Sequence, residues 1–182
     1  MAKRISIINF KGGVGKTTFA FQFSTGLACF HNARVLLIDM DHQSSLSIVC
    51  LTAPEWSRIV QAKRTVNEVF KPFIGQTSPF PDKAIIEHKA IKQVPYTTKY
   101  DKLDLVPASL QLDDIEIDLT ASHHGNAIHS EWDKRTLICR WLEEAEIDSD
   151  YDYIIFDCPP ATKIVSQNAI AASHGYIISV VA

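Results

Sequence analysis

The sequence lacks the long apolar run, the paired cysteines and the basic excess that identify several large classes of protein. No stretch of its 182 residues approaches the roughly 20 apolar residues that are needed to span a bilayer. The four cysteines include no C-x-x-C pair, and the N-terminus leads into an apolar strand without a long signal region, which favours a reducing cytoplasm. The net charge of -3 gives no overall basic footprint for nucleic acid, so any DNA contact requires a local patch, a dimer or residues outside this chain.

The composition fits one globular domain, with 46% hydrophobic and 21% charged residues. A chain of this length buries one core and is too short for two ordinary domains, so residues 1–182 are expected to form a single domain. Tyr176 to Val181 is apolar and rich in β-branched residues, which predicts a buried strand. Because the chain would stop directly after that strand, we expect the domain to be truncated at its C-terminal end.

A glycine-rich stretch follows the first apolar run. Ile5 to Ile8 precedes Lys11-Gly12-Gly13-Val14-Gly15-Lys16-Thr17-Thr18, and a segment of helical periodicity comes next. The template G-x-x-x-x-G-K-[ST] places a phosphate-binding loop between a strand and a helix, with backbone N–H groups closing around phosphate oxygens. Here Phe10 stands at the first glycine position of the template, while a second lysine, Lys11, precedes the loop. The stretch is therefore predicted to be a deviant phosphate-binding loop with two lysines.

Each part of this loop has a predicted role toward a nucleotide. The backbone amides of Gly13–Thr17 and the positive end of the following helix would hold the β-phosphate. Lys16 would bridge the terminal phosphates, the Thr17 hydroxyl would coordinate magnesium, and Thr18 would reach the α-phosphate. The alternative is a flexible turn without a ligand, which would need neither the hydroxyl pair nor the flanking strand and helix.

Two further apolar runs end in carboxylates. Val35 to Ile38 is followed by Asp39 and Asp41, and Tyr153 to Phe156 is followed by Asp157. In open α/β sheets, ligands bind at the carboxyl ends of parallel strands. Asp157 therefore fits an acid that holds magnesium, the alternative being an aspartate that caps the next turn. Strands alternate with helical segments along the chain, which predicts an α/β fold with a mostly parallel sheet.

Two helices carry sequence signals of their own. Four apolar residues at helical spacing after the loop predict a core-facing stripe, namely Phe19, Phe23, Leu27 and Phe30. Ser130-x-x-Asp133 has the form of a capping box that opens a later helix.

The loop resembles the deviant Walker A motif of the ParA/MinD group of ATPases. Asp39-Met40-Asp41-His42-Gln43 is similar to the D-x-D-P-Q switch segment of ParA proteins, and Asp157-Cys158-Pro159-Pro160 to their D-x-P-P motif. The resemblance implies a P-loop NTPase fold with three α/β/α layers. It implies that Asp41 orients the attacking water, that Asp39 supports the magnesium shell, and that Lys11 reaches the phosphates of a second subunit. His42 departs from the family's usual proline, and Phe10 from its common glutamine.

By the same resemblance, the chain is expected to be a magnesium-dependent ATPase that uses ATP and Mg²⁺ and works as an ATP-dependent homodimer. The family acts in plasmid or chromosome partitioning, with a ParB-like stimulatory partner and non-specific DNA bound through the full-length dimer, in the bacterial cytoplasm or on the nucleoid. Three alternatives remain open: a MinD-like membrane-associated positioning ATPase, a truncated nucleotide-binding module with weak hydrolysis, and an iron–sulfur reductase or carrier that shares the loop.

Overall fold

The computed structural model describes residues 1–75, 79–89 and 101–180. Five strands form one sheet, and they are β1 (Lys3–Ile8), β2 (Val35–Asp39), β3 (Leu103–Val106), β4 (Tyr153–Asp157) and β5 (Gly175–Ile178). Eight α-helices surround it in the described residues, and they are α1 (Lys16–His31), α2 (Ser45–Cys50), α3 (Ala53–Gln61), α4 (Asn67–Phe70), α5 (Leu112–Ala121), α6 (Ala127–Asp133), α7 (Leu137–Glu144) and α8 (Ile164–Ala172). Short 3₁₀ turns occupy Lys83–Ile85 and Ile147–Ser149.

All strand pairs in the sheet are parallel, in the order β3-β2-β4-β1-β5. The strand β4 lies between β1 and β2, although it follows both of them in the sequence. Its register pairs Asp157 with Ile7 of β1 and with Asp39 of β2. The topology thus brings the two strand-ending aspartates together, next to the loop that leaves β1.

Helices cover both faces of the sheet, and the central strands β2 and β4 are apolar on both sides. Leu36 and Ile38 face one hydrophobic core with residues of α4, α5, α7 and α8, whereas Val35 and Leu37 face a second core with α1, α2 and α3. Alternate residues of a strand point to opposite faces, so an unbroken apolar run is what a doubly covered parallel strand requires. The predicted α/β/α fold with a parallel central sheet is confirmed.

The helix α1 packs on the sheet through small residues. Its buried positions recur at every fourth residue, and they are Lys16, Ala20, Ser24 and Ala28. The sequence predicts a different stripe, made of Phe19, Phe23, Leu27 and Phe30. This prediction is wrong for Phe19 and Phe30, which are 39% and 84% exposed, whereas Phe23 and Leu27 are partly buried and pack against the second core. Small side chains allow close approach of helix and sheet, and the larger ones flank the contact.

The capping prediction near α6 is also wrong. The helix begins after Asn126, whose side chain accepts a hydrogen bond from the Ile128 N–H at 3.0 Å. Ser130 lies inside the helix, and its hydroxyl accepts from the His124 N–H at 2.9 Å. The Asn126 side chain therefore supplies the cap that the sequence pattern assigns to Ser130.

The last strand differs from the prediction in its burial. β5 ends at Ile178, before the predicted limit at Val181, which lies outside the described residues. Tyr176 and Ile178 are 52% and 63% exposed. These two residues lie on the same face of β5, which is therefore left uncovered by the described helices. Among the described strands, β5 pairs with β1 alone and forms an edge of the sheet.

No described helix combines the length and the apolar character that crossing a membrane requires.

Candidate functional site

The loop between β1 and α1 is shaped by glycines and by one asparagine. Gly13 and Gly15 have φ angles of +73° and +78°, in the left-handed region that residues with a Cβ rarely adopt. The Asn9 side chain accepts a hydrogen bond from the Lys11 N–H at 2.8 Å. These residues bend the chain from the end of β1 to Lys16, the first residue of α1. The free N–H groups of that first turn therefore lie at the same end of the sheet as the strand-ending carboxylates.

The two lysines of the loop have different environments. Lys16 is buried, and its ammonium donates to the Lys11 carbonyl at 3.2 Å, so its charge is held against the loop. The Lys11 residue is exposed, as is Thr18, whereas Thr17 is partly buried. The loop therefore directs one lysine inward and leaves the other accessible from solvent.

Asp39 and Asp157 form a buried pair of carboxylates at the ends of β2 and β4. They are register partners, and the Asp157 carbonyl accepts from the Met40 N–H at 3.0 Å. Burial raises the pKa of Asp39 to about 6. Burial and then the Asp39 charge raise the pKa of Asp157 to about 8, while Thr17 lowers it. Two buried carboxylates this close are poorly stabilised as anions unless a cation joins them.

The Asp157 side chain has the properties of a cation ligand. Within the described residues, neither of its oxygens accepts a hydrogen bond of normal geometry, although Thr17 and the charge of Lys16 are close enough to lower its pKa. Buried carboxylate oxygens are normally hydrogen-bonded, and an exception calls for an explanation, such as a catalytic role or a bound water or ion. Magnesium prefers oxygen ligands and commonly uses one or two carboxylates together with substrate phosphates. The carboxylate of Asp157 and the hydroxyl of Thr17 fit such an ion.

The described residues contain no group of three or more His, Cys, Asp or Glu side chains that could hold a metal by themselves. A magnesium ion at Asp157 would therefore take its remaining ligands from water and from a bound phosphate. This is the usual arrangement for magnesium at nucleotide sites.

Asp39 is hydrogen-bonded on both oxygens, in contrast to Asp157. Its Oδ1 accepts from the Asp41 N–H at 3.1 Å, and its Oδ2 accepts from the N–H and the hydroxyl of Ser47 at 2.9 and 2.7 Å. Asp41 in turn accepts from the Gln43 N–H at 3.0 Å through its Oδ1, and the His42 Nδ1 lies 3.5 Å from the same oxygen. Asp39 thus fixes the backbone of the segment that carries Asp41, a role that its position at a strand end does not reveal.

Glu116 and Asn168 support the site from the opposite face of the sheet, and the sequence predicts no role for either. The buried Glu116 carboxylate accepts from the Ile164 and Val165 N–H groups, and so caps α8 just after the D-x-P-P segment. Asn168 donates to the Ile164 carbonyl at 3.0 Å and accepts from the Ile138 N–H at 3.2 Å. It therefore holds α8 against α7. Glu116 is polar on an otherwise apolar helix face, which is the only signal that the sequence carries for it.

A family model described as an AAA domain matches residues 2–182. The chain belongs to this family. Among its relatives are the chromosome partitioning protein ParA of Caulobacter vibrioides, 31% identical over 174 residues, and the sporulation initiation inhibitor protein Soj of Bacillus subtilis, 29% identical over 180 residues. The alignments cover 96% and 99% of this chain, but 54% and 58% of those two proteins. The present chain therefore spans little more than half the length of these two relatives.

Solved structures of similar fold include two that contain nucleotides. A plasmid partition protein of Borrelia burgdorferi bound to AMPPNP matches with a TM-score of 0.72 and 28% identity, over 98% of this chain and 62% of that one. A protein described as cobyrinic acid a,c-diamide synthase of Mycobacterium smegmatis, with bound ADP and magnesium, matches with a TM-score of 0.73 and 26% identity, over 99% of this chain and 60% of that one. Together with the ParA and Soj relatives, they confirm the predicted resemblance to ParA-type P-loop proteins.

Proposed function

We propose that this chain binds ATP with Mg²⁺ and hydrolyses it, as the ATPase part of a ParA-type partitioning protein. The observation that carries the proposal is the buried Asp157 carboxylate, which has no normal hydrogen bond in the described residues and lies close to Thr17 and Lys16. The bound nucleotide and magnesium of the similar solved structures support the same ligands here.

In this proposal the loop residues position the phosphates. The amides of Gly13–Thr17, which include Val14, surround the β-phosphate, and Gly12 keeps the approach free of a side chain. Lys16 supplies a buried positive charge for the terminal phosphates, and Thr18 contacts the α-phosphate. Positioning and charge stabilisation of this kind account for most of the catalysis in phosphoryl transfer.

Thr17 and Asp157 would hold magnesium, and Asp39, at the end of β2, would support the coordination shell of the ion. When bound, magnesium neutralises part of the charge on the terminal phosphates. Asp41 is proposed to orient the attacking water, since the hydrogen bond from its N–H to Asp39 ties its backbone to the same strand end. Asp41 is only 9% exposed, and this burial favours a fixed orientation of its carboxylate.

Lys11 is proposed to act across an ATP-dependent homodimer, where it contacts the phosphates bound to the partner subunit. Its exposure supports this role, because a buried lysine could not cross an interface. A cation supplied by a second subunit stabilises transition-state charge only after the two subunits meet. Hydrolysis would then depend on dimerisation.

The biological role proposed for the whole protein is plasmid or chromosome partitioning in the bacterial cytoplasm or on the nucleoid. It rests on the ParA and Soj relatives. A ParB-like partner would stimulate hydrolysis, and the full-length dimer would bind non-specific DNA.

ATP turnover of three proteins tests the catalytic part of the proposal. Phosphate release is measured for the wild type, Lys16→Ala and Asp41→Ala, with Mg²⁺ present. We expect each variant to lose at least about a hundredfold in kcat, because each lacks a group that acts in the transition state. Equal rates in all three proteins would reject the proposal.

Two exposed residues provide matched controls for these substitutions. Lys102→Ala removes a lysine just before β3, and Asp133→Asn removes a carboxylate from α6; both residues are exposed. Both controls should keep the wild-type turnover. A comparable loss in a control would show that the assay reports net charge or folding rather than the site.

A further inference from the structure

A buried serine hydroxyl connects the Asp39 carboxylate to the segment that follows strand β3. Ser47 is completely buried, and its hydroxyl donates to Asp39 Oδ2 at 2.7 Å. The oxygen of the same Ser47 hydroxyl accepts from the Ala108 N–H at 2.9 Å. The hydroxyl therefore uses its one hydrogen for Asp39 and a lone pair for Ala108, so its orientation is fixed from both sides.

This hydroxyl restricts the position of Asp39. The Ser47 N–H and O–H both bond to Oδ2, while the Asp41 N–H bonds to Oδ1 at 3.1 Å. Rotation of the carboxylate about its last bond would break contacts on both oxygens. Because Asp41 is anchored through Oδ1, the hydroxyl of Ser47 also restrains the backbone of Asp41.

The far side of this connection is rigidly held as well. The Ala108 carbonyl accepts from the Trp56 Nε1–H at 2.9 Å, and the next residue, Ser109, donates its N–H to Asn67 at 3.2 Å. Ser47 is thus bonded to a segment that α3 and α4 hold in place. The Ser47 hydroxyl is therefore held between two fixed partners.

We propose that Ser47 is a positioning residue for the hydrolysis, which fixes Asp39 and, through Asp39, the segment that carries Asp41. This inference rests on the proposed function, since it assigns Ser47 a part in the same reaction. Among the described residues, the hydroxyl is hydrogen-bonded to Asp39 and Ala108, and to neither the nucleotide loop nor Asp41. Its loss is therefore expected to lower kcat while leaving the binding of ATP to the loop unchanged.

Steady-state kinetics of Ser47→Ala, Ser47→Thr and Ser24→Ala test the inference. Ser47→Ala should lose about tenfold or more in kcat, with KM for ATP within about twofold of wild type. Ser47→Thr keeps the hydroxyl and should recover most of the rate. Ser24→Ala is the matched control, because Ser24 is also a completely buried helical serine, but its hydroxyl has no hydrogen-bond partner in the described residues.

Hydrogen exchange provides a readout that does not depend on turnover. Ser47→Ala should increase amide exchange at Asp41 and Ala108, and Ser24→Ala should not. Wild-type kcat in Ser47→Ala would overturn the inference, as would an equal loss in Ser47→Ala and Ser47→Thr. If the wild type itself shows no turnover that depends on Lys16, the proposed function fails, and the role of Ser47 in hydrolysis fails with it.

Discussion

Replacement of Asp157 by asparagine should change how the stability of the ligand-free protein depends on pH. The pKa of Asp157 is raised from 3.8 to about 8 by burial and by the neighbouring Asp39. Between these two values the folded protein binds a proton at Asp157 that the unfolded chain has released. The contribution of this group to the free energy of unfolding is therefore fully present below about pH 4 and is lost as pH rises toward 8.

The size of the effect follows from proton linkage. One extra proton on the folded state lowers the free energy of unfolding by about 1.4 kcal/mol for each pH unit of increase. Between pH 5 and pH 7, the wild type should lose up to about 3 kcal/mol relative to Asp157→Asn. Asparagine has nearly the same shape as aspartate but does not titrate, so the comparison removes the titration of Asp157 while keeping its shape.

The assay is urea unfolding at pH 5, 6 and 7, with EDTA and without nucleotide. The difference in unfolding free energy between Asp157→Asn and the wild type should increase with pH in favour of the variant. Asp133→Asn removes a charge from an exposed position and should show no such trend. A constant difference between Asp157→Asn and the wild type at all three pH values would refute the reasoning about the buried carboxylate.

Three other substitutions have distinct expected outcomes. Lys11→Ala should bind ATP within about twofold of wild type but lose at least about tenfold in kcat; unchanged turnover that is independent of protein concentration would remove the role across subunits. Glu116→Ala should lower the free energy of unfolding by about 2 kcal/mol in urea, because two N–H groups of α8 lose their acceptor, whereas the exposed Glu144→Ala should have little effect. Asn168→Ala should also cost about 2 kcal/mol in the same assay, and an unchanged unfolding midpoint would contradict its assigned contacts.

The sequence predicts the sheet well because its signals there are local. The run from Val35 to Ile38 is apolar at every position, as a strand covered on both faces must be. The ligand end of the sheet could also be located, since Asp39 and Asp157 directly follow such runs. Their direct pairing across β2 and β4 depends on strand order, which no local pattern contains.

Helix faces and caps were harder to predict because they depend on tertiary contacts. In α1, Ala20 and Ala28 face the sheet while Phe30 remains exposed, so closeness of packing outweighs hydrophobicity. Glu116 caps a helix that begins 48 residues later in the chain. Ser47 is similarly defined by Asp39, at the end of β2, and Ala108, which follows β3.

The magnesium dependence of ATP binding tests the central claim most directly, namely that Asp157, Thr17 and Lys16 form one site for a magnesium-bound nucleotide. Calorimetric titration with ATP is carried out on the wild type and on Asp157→Asn, each with Mg²⁺ and with EDTA. We expect Mg²⁺ to strengthen binding to the wild type, and this gain to be lost in Asp157→Asn, while the two proteins bind equally in EDTA. An equal gain from Mg²⁺ in both proteins, or no ATP binding by the wild type, would contradict the account.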